Sequence, residues 1–399
     1  MRHWEPGGFF QTGVRAIGLF LLGWTLLVPF VPATAYADGG APNLAYIAGA
    51  QQGVGVIDIA QQHIARSFAV AGSPNMLLLS PDGSILYITR PGVGSIVALA
   101  TKTGQVICNA DFPGHPALLA LSVDSTALYV AGLDETTLLV LNAQTCTQER
   151  SFQVPEPVHW LAATLANVAG DNTPSTQLWL AGPNAVSILD DQGQLQDSIA
   201  VAGDPQFLSL PGTLTAYVAT RQGSVIALDM VTHRTIGTLL SGGAFGSMDY
   251  DAVTGDIYVP DQRLRQVDVL TPVLAGMASL PREPSYTWPM PASPQAVAVT
   301  NDGQLGFVAL ASGQVAMLDI PGQKLINTIA VGGSPRFIIA GVYPPPNVPP
   351  SVVQAPFSPV VLFVGFLIVV LMLLGIASGI FWFIKHQKAR GSSKGNAAK

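Results

Sequence analysis

The chain has 399 residues, of which 49% are hydrophobic and 11% charged, with 41 glycines, 31 prolines and a formal net charge of −6. That composition describes a chain that buries much of itself and turns often. Between its two terminal segments it carries eleven basic and twenty-three acidic residues, an acidic exterior that excludes a nucleic-acid backbone as partner, since phosphate binding needs clustered Lys and Arg.

The first 37 residues place Arg2 and Arg15 before an apolar run from Ala16 to Val31, followed by Pro32 and the small residues Ala35 and Ala37. This is the layout of a secretory signal peptide over residues 1–37. Were it left uncleaved as an anchor, the following domain would still be exported.

From residue 38 to 342 a phrase recurs. The stretch "AVAGSPNMLLLSPDG" from Ala69 has relatives at Asp111, Val154, Ala200, Pro291 and Ala330. Its marker proline falls at Pro74, Pro116, Pro157, Pro205, Pro294 and Pro335, with Gly246 filling the slot that lacks one, in steps of 41 to 48 residues. A second marker, an aromatic residue inside a short β-branched run, falls at Tyr46, Tyr87, Tyr129, Trp179, Tyr217, Tyr258 and Phe307. Both markers count seven units, and a period of about 40 to 45 residues is that of a four-stranded propeller blade. The apolar runs within each unit are bounded by Gly, Asn and Asp and are too short for helices. Asp58, Asp190, Asp229 and Asp319 recur in register, which predicts turn-makers rather than catalytic carboxylates. Cys108 and Cys146 fall by repeat register on outermost strands of neighbouring blades, an arrangement that favours two separate thiols over a disulfide.

Residues 343–359 hold seven prolines, which favours a polyproline II stalk at about 3.1 Å per residue. Val360 to Ile384 carries no charge and is long enough, at about 1.5 Å per residue, for a transmembrane helix. Trp382 sits at its edge, and Lys385, Lys388, Arg390, Lys394 and Lys399 follow without an acidic residue, which marks residues 385–399 as a cytoplasmic tail. Gly375 and Gly379 fit the small-x-x-x-small spacing that lets two membrane helices approach, so a homodimer through them is an expectation.

The units beginning "YIAGAQQGVGVIDIA" and "YITRPGVGSIVALAT" resemble the YVTN-type β-propeller repeat, known from surface-layer-like propeller proteins. The pattern runs aromatic-Val-Thr-Asn, Val-Ile-Asp, Ile-x-Val-Gly-x-x-Pro and Ser-Pro-Asp-Gly. The resemblance covers about 300 residues. Gly, Arg or Thr replaces the Asn after the aromatic run, and only Pro81-Asp82-Gly83 and Asn301-Asp302-Gly303 keep the last turn well. It implies that "SPNMLLL" is the innermost strand of a blade, followed by the aromatic strand, a third strand and an outermost one. The chain would then begin inside a blade that "SPRFIIAG" completes at its end, closing the ring. Fold likeness within the family exceeds likeness of activity.

That registry gives the propeller two faces. The chain enters and leaves at one, from which the stalk hangs, and the other looks away from the membrane. The turns holding Ser73, His115, His159, Asp204, Ser293 and Ser334 open the innermost strands on the distal face, with Arg90, Arg221, Arg263 and Arg265 in or beside its second set of turns. The longest distal connection is read as Leu280 to Pro294, where Arg282, Glu283, Tyr286 and Trp288 form the binding candidate together with Arg90, Arg221 and Arg263. Trp288 is read first as a cap on the hydrophobic end of the junction between the sixth and seventh blades and second as a ligand contact.

No metal-ligand spacing accompanies His115, His159 and Asp204, so no metal or cofactor is expected. Gly-x-Ser-x-Gly, His-Glu-x-x-His, phosphate-loop and haem-attachment motifs are absent. The reading is an all-β, seven-bladed, membrane-anchored extracytoplasmic propeller that binds a protein, a cell-envelope polymer or a small ligand through its distal face. One alternative is a lactonase-like or other hydrolase at the channel mouth using His115, His159 and Asp204; another is a structural surface-layer component.

Overall fold

In the computed structural model, residues 44–165, 175–274 and 277–341 are described. The signal peptide (1–37), stalk (343–359), membrane helix (360–384, with Gly375 and Gly379) and basic tail (385–399) read from the sequence lie outside them. Among the described residues no helix is long and apolar enough to cross a membrane.

The described residues form 28 strands in seven four-stranded antiparallel sheets, a seven-bladed β-propeller. Each blade's first strand faces the central channel, and the second and third strands are almost wholly buried, because neighbouring blades cover both of their faces. The outermost strands alternate or are exposed, as in Val106–Asp111 and Leu195–Ala200.

Blade 1 is completed from the far end of the chain. Phe337–Gly341 pairs with Leu44–Ala50, which continues to Gly53–Asp58 and His63–Ala69. Leu44 lies opposite Gly341, and Ala48 opposite Phe337, so the first and last described residues meet at one face. The ring closes without leaving an inner sheet edge free for a second chain.

The aromatic marker residues are buried between blades; Tyr46, Trp179, Tyr217 and Phe307 are all 0% exposed. Two of the tyrosines show why the hydroxyl recurs. Tyr87 Oη donates to Ala143 O of the next blade at 2.9 Å, and Tyr217 Oη accepts from Val273 N of its own next neighbour at 2.8 Å. Each satisfies a backbone group that the junction would otherwise bury unpaired. The recurrent aspartates are turn-makers as expected: Asp58, Asp190, Asp229 and Asp319 each accept backbone N–H groups two to four residues on.

Three details depart from the sequence reading. Cys108 and Cys146 form a disulfide, with Cα atoms 5.6 Å apart. Cys108 sits on the outermost strand of blade 2, whereas Cys146 lies not on a strand but in the turn after Glu135–Asn142, with φ of 55°. That left-handed turn carries its sulfur into the blade junction, a placement invisible to a register that assigned both cysteines to strands. The second departure concerns blade 4, where Trp160, not His159, pairs with Ala181, in the position that Leu118, Phe207 and Phe337 hold against Ala131, Ala219 and Ala48. The position equivalent to the marker proline is therefore Val158, one residue after Pro157. The third is the long connection, described below.

Candidate functional site

The innermost strands start at one level, so the residues that open them form two stacked rings around the channel mouth. The register places Asn75, Ala117, His159, Gln206, Gly246, Gln295 and Arg336 in the upper ring, and Met76, Leu118, Trp160, Phe207, Ser247, Ala296 and Phe337 directly below. The mouth holds a cavity of about 340 Å³ lined by these rings, Gly246 and Ala296 excepted, together with Leu133 and Gln262 from neighbouring turns. A second channel cavity, of about 270 Å³, shares Trp160, Ser247 and Phe337 with the first. These residues form the septum between the two. Trp160 meets Phe207 edge-on at 5.3 Å and Phe337 at 6.1 Å between ring centroids, in the geometry aromatic quadrupoles favour.

One side of the mouth is a closed polar network. His159 is 6% exposed; its Nδ1 lies 2.8 Å from Pro205 O and 3.1 Å from Asp204 Oδ1, and its Nε2 lies 3.1 Å from Asp134 Oδ1. Gln206 Nε2 donates to Asp204 Oδ1 at 3.0 Å. Arg221 pairs with Asp204 through Nε at 2.9 Å and donates to Gln206 Oε1 at 3.1 Å. Gln206 Nε2 also lies 2.9 Å from His159 Nδ1, so the imidazole stands between the carboxylates of Asp134 and Asp204 with the Gln206 amide beside it. Among the described residues the polar contacts of His159 are Pro205 O, Asp204, Gln206 and Asp134, a network that positions Gln206 at the cavity wall.

Below the septum, Asp249 lines the lower cavity. Its Oδ2 accepts from Val299 N at 2.7 Å, yet removal from water dominates and pushes its carboxyl up to about 6.

The sequence-derived candidates are divided by this geometry. His159 and Asp204 meet at the mouth. His115 is exposed on another turn, where its backbone N–H donates to Glu135 Oε1 at 3.0 Å and its Nδ1 lies 3.0 Å from Pro91 O; it does not join the other two. Arg221 is committed to Asp204, and Arg263 donates to Gly242 O. Arg90 ends the second strand of blade 2, and its Nε is buried without a hydrogen-bond partner.

The long connection proves to be two things. Tyr286–Pro289 is the outermost strand of blade 6, pairing Tyr286 with Val269 and Trp288 with Val267. Trp288 is 4% exposed, stacked on Tyr258 at 5.9 Å and edge-on to Tyr286 at 4.7 Å, while Tyr286 Oη donates to Gln323 O at 3.1 Å. Both aromatics hold the junction of blades 6 and 7, the capping role read first for Trp288 from the sequence. Arg282 and Glu283 are exposed on the segment that joins the third strand of the blade to this outermost one. Because strands alternate in direction, that segment lies on the face opposite the mouth, not on the mouth face.

Residues that the sequence reading passed over are Trp160, Phe207, Phe337, Asn75, Gln295, Arg336 and Asp134. A signal existed for the ring: Asn75, Gln206, Gln295 and Arg336 directly follow Pro74, Pro205, Pro294 and Pro335, the variable positions beside the repeated ones. Among the described residues no group of three or more His, Cys, Asp or Glu side chains is arranged to hold a metal ion.

No protein-family model matches the sequence, and no curated protein matches it. Solved structures match the fold. A functionally unknown protein from Desulfotomaculum acetoxidans is 12% identical, with a TM-score of 0.63 over 76% of this chain and 99% of that one. The Cps50 (Swd1) β-propeller domain of Myceliophteria thermophila is 13% identical, with a TM-score of 0.57 over 68% of this chain and 90% of that one. The hydrazine synthase of Kuenenia stuttgartiensis is 15% identical, with a TM-score of 0.52 over 67% of this chain and 89% of that one. At such identities the likeness is one of propeller fold alone.

Proposed function

We propose that this chain is an extracytoplasmic binding protein: a propeller exported by the segment 1–37, tethered through the proline-rich stalk 343–359 to a membrane helix at 360–384, and presenting its mouth away from the bilayer. The repeat phrases fit the YVTN-type propellers among such proteins. The observation that carries the binding role is the mouth cavity, to which all seven blades contribute and which has an aromatic floor and polar walls. Its histidine is engaged by two carboxylates with the Gln206 amide beside it, which favours binding over hydrolysis. The anchor is supported by the uncharged run and the basic residues after it, and the orientation by the pairing of Leu44 with Gly341 on the face opposite the mouth.

A thermal-shift screen of envelope polymers, sugars, peptides and metabolites against the full-length protein in detergent tests this reading. Hits should stabilise the native protein and lose at least about tenfold in affinity in Trp160→Ala, equivalent to about 1.4 kcal/mol. Hits unaffected by Trp160→Ala would put binding elsewhere, and turnover of a hit that disappears in His159→Ala would make the protein a hydrolase instead.

A further inference from the structure

We infer that the mouth takes a sugar ring carrying a carboxylate, that is, a uronic acid unit of a polysaccharide or oligosaccharide. This rests on the reading of the mouth as a binding site and names its ligand class. The ring of blades places Gln295, Arg336 and Asn75 side by side, since the innermost strands of blades 7, 1 and 2 pack against one another in that order. All three line the cavity. The guanidinium of Arg336 has no ion-pair or hydrogen-bond partner among the described residues, in contrast to Arg221, which Asp204 neutralises. On either side of it an amide nitrogen is already committed: Asn75 Nδ2 donates to Ala117 O at 3.2 Å, and Gln295 Nε2 donates to Ser293 O and Oγ at 3.3 Å. What remains for a ligand is an amide oxygen with one open N–H at Asn75, the cationic fork of Arg336 and a second amide oxygen at Gln295 along one arc.

That order fits a carboxylate on Arg336 with hydroxyl groups to either side donating to Asn75 Oδ1 and Gln295 Oε1. Beneath the arc, Trp160 and Phe337 are half-buried and border the cavity, flat apolar surfaces suited to the C–H face of a pyranose. A cavity of about 340 Å³ is at the small end of the usual ligand range of ~300–1,000 Å³, room for a sugar unit rather than a protein domain. A phosphate group would call for clustered cations, and here one unpaired arginine stands in the arc. A peptide bound through its backbone would need an extended sheet edge to pair with, whereas the mouth offers the beginnings of separate strands converging on a round opening.

The test is isothermal titration of the full-length protein in detergent micelles with trigalacturonate, with the neutral galactotriose and with trialanine. The expected result is that trigalacturonate binds at least about tenfold more tightly than galactotriose, a charge-assisted hydrogen bond's worth. Arg336→Gln should abolish that difference, and Arg336→Lys should restore part of it. Arg336 is exposed, so these variants leave the fold in place, which an unchanged melting temperature verifies. Equal affinity for the acidic and neutral sugars would overturn the carboxylate assignment. Trialanine binding in an Arg336-dependent way while both sugars fail would overturn the sugar class and leave the mouth standing as a binding site. Absence of any Trp160-dependent ligand in the wider screen would remove that site as well.

Discussion

At the scale of single residues, Asp249 shows what the channel costs. Its carboxyl is held at about 6 by desolvation, against about 3.9 for an aspartate in an unfolded chain. Because the native value is the higher, the native protein pays nothing below about pH 4, where both states are protonated. The penalty grows as pH rises through the interval and is complete above about pH 6. Two pKa units correspond to roughly 3 kcal/mol, an upper figure for a group the channel water can reach. Asp249→Asn keeps an oxygen to accept from Val299 N and removes the charge. Its melting temperature is expected to exceed the wild type's by several degrees at pH 7.5 and to match it at pH 4. A difference of the same size at both pH values would mean that packing, not ionisation, sets the effect. Asp268, buried in blade 6 and also pushed up to about 6 by desolvation, imposes a similar penalty away from the channel.

At the scale of elements, the sequence was most informative where it repeats. The strand count, the order of strands in a blade, the closing role of "SPRFIIAG" and the buried aromatics all follow from residues that recur at one spacing. Failures gather where recurrence breaks. Pro157 sits one residue out of register, because the outermost strand before it runs to Val158 with a shift in pairing near Glu135; Trp160, not His159, therefore takes the floor position. Tyr286 and Trp288 read as a loop because prolines surround them, yet alternation around Thr287 builds a short outer strand. The cysteines failed for a third reason, that a turn of left-handed conformation at Cys146 leaves no trace in strand register. The disulfide spans 38 residues and ties blade 2 to blade 3. Closing a loop of that length stabilises by about 3–4 kcal/mol in the chain-entropy account. Cys108→Ser with Cys146→Ser, or reduction of the wild type, should lower the melting temperature by several degrees while leaving the far-ultraviolet circular dichroism unchanged. No shift on reduction would show that the inter-blade hydrogen bonds, such as Tyr87 Oη to Ala143 O at 2.9 Å and Asn75 Nδ2 to Ala117 O at 3.2 Å, hold that junction alone.

At the scale of the whole molecule, ring closure and orientation are one argument. The last strand must run from the mouth to the opposite face to meet Leu44–Ala50 antiparallel, so the route toward the stalk begins on that opposite face. Leu133 and Val253 mark the two ends: Leu133 lines the mouth cavity and is 49% exposed, while Val253 lies in the turn between the first two strands of blade 6 and is 68% exposed. Strands of about six residues at ~3.3 Å per residue set the two sites roughly 20 Å apart along the channel axis. The described cysteines are paired, so Leu133→Cys and Val253→Cys each add a single reactive thiol. With the full-length protein in vesicles containing an acceptor-labelled lipid, a donor at Val253→Cys should transfer energy more efficiently than one at Leu133→Cys. If the chain is anchored as proposed, the residues after Gly341 add to both distances alike, and the expected order follows from the pairing of Leu44 with Gly341 on the face opposite the mouth. Greater transfer from Leu133→Cys would turn the mouth toward the bilayer, and an envelope polymer would then have to be replaced by a ligand that reaches the site from the membrane side.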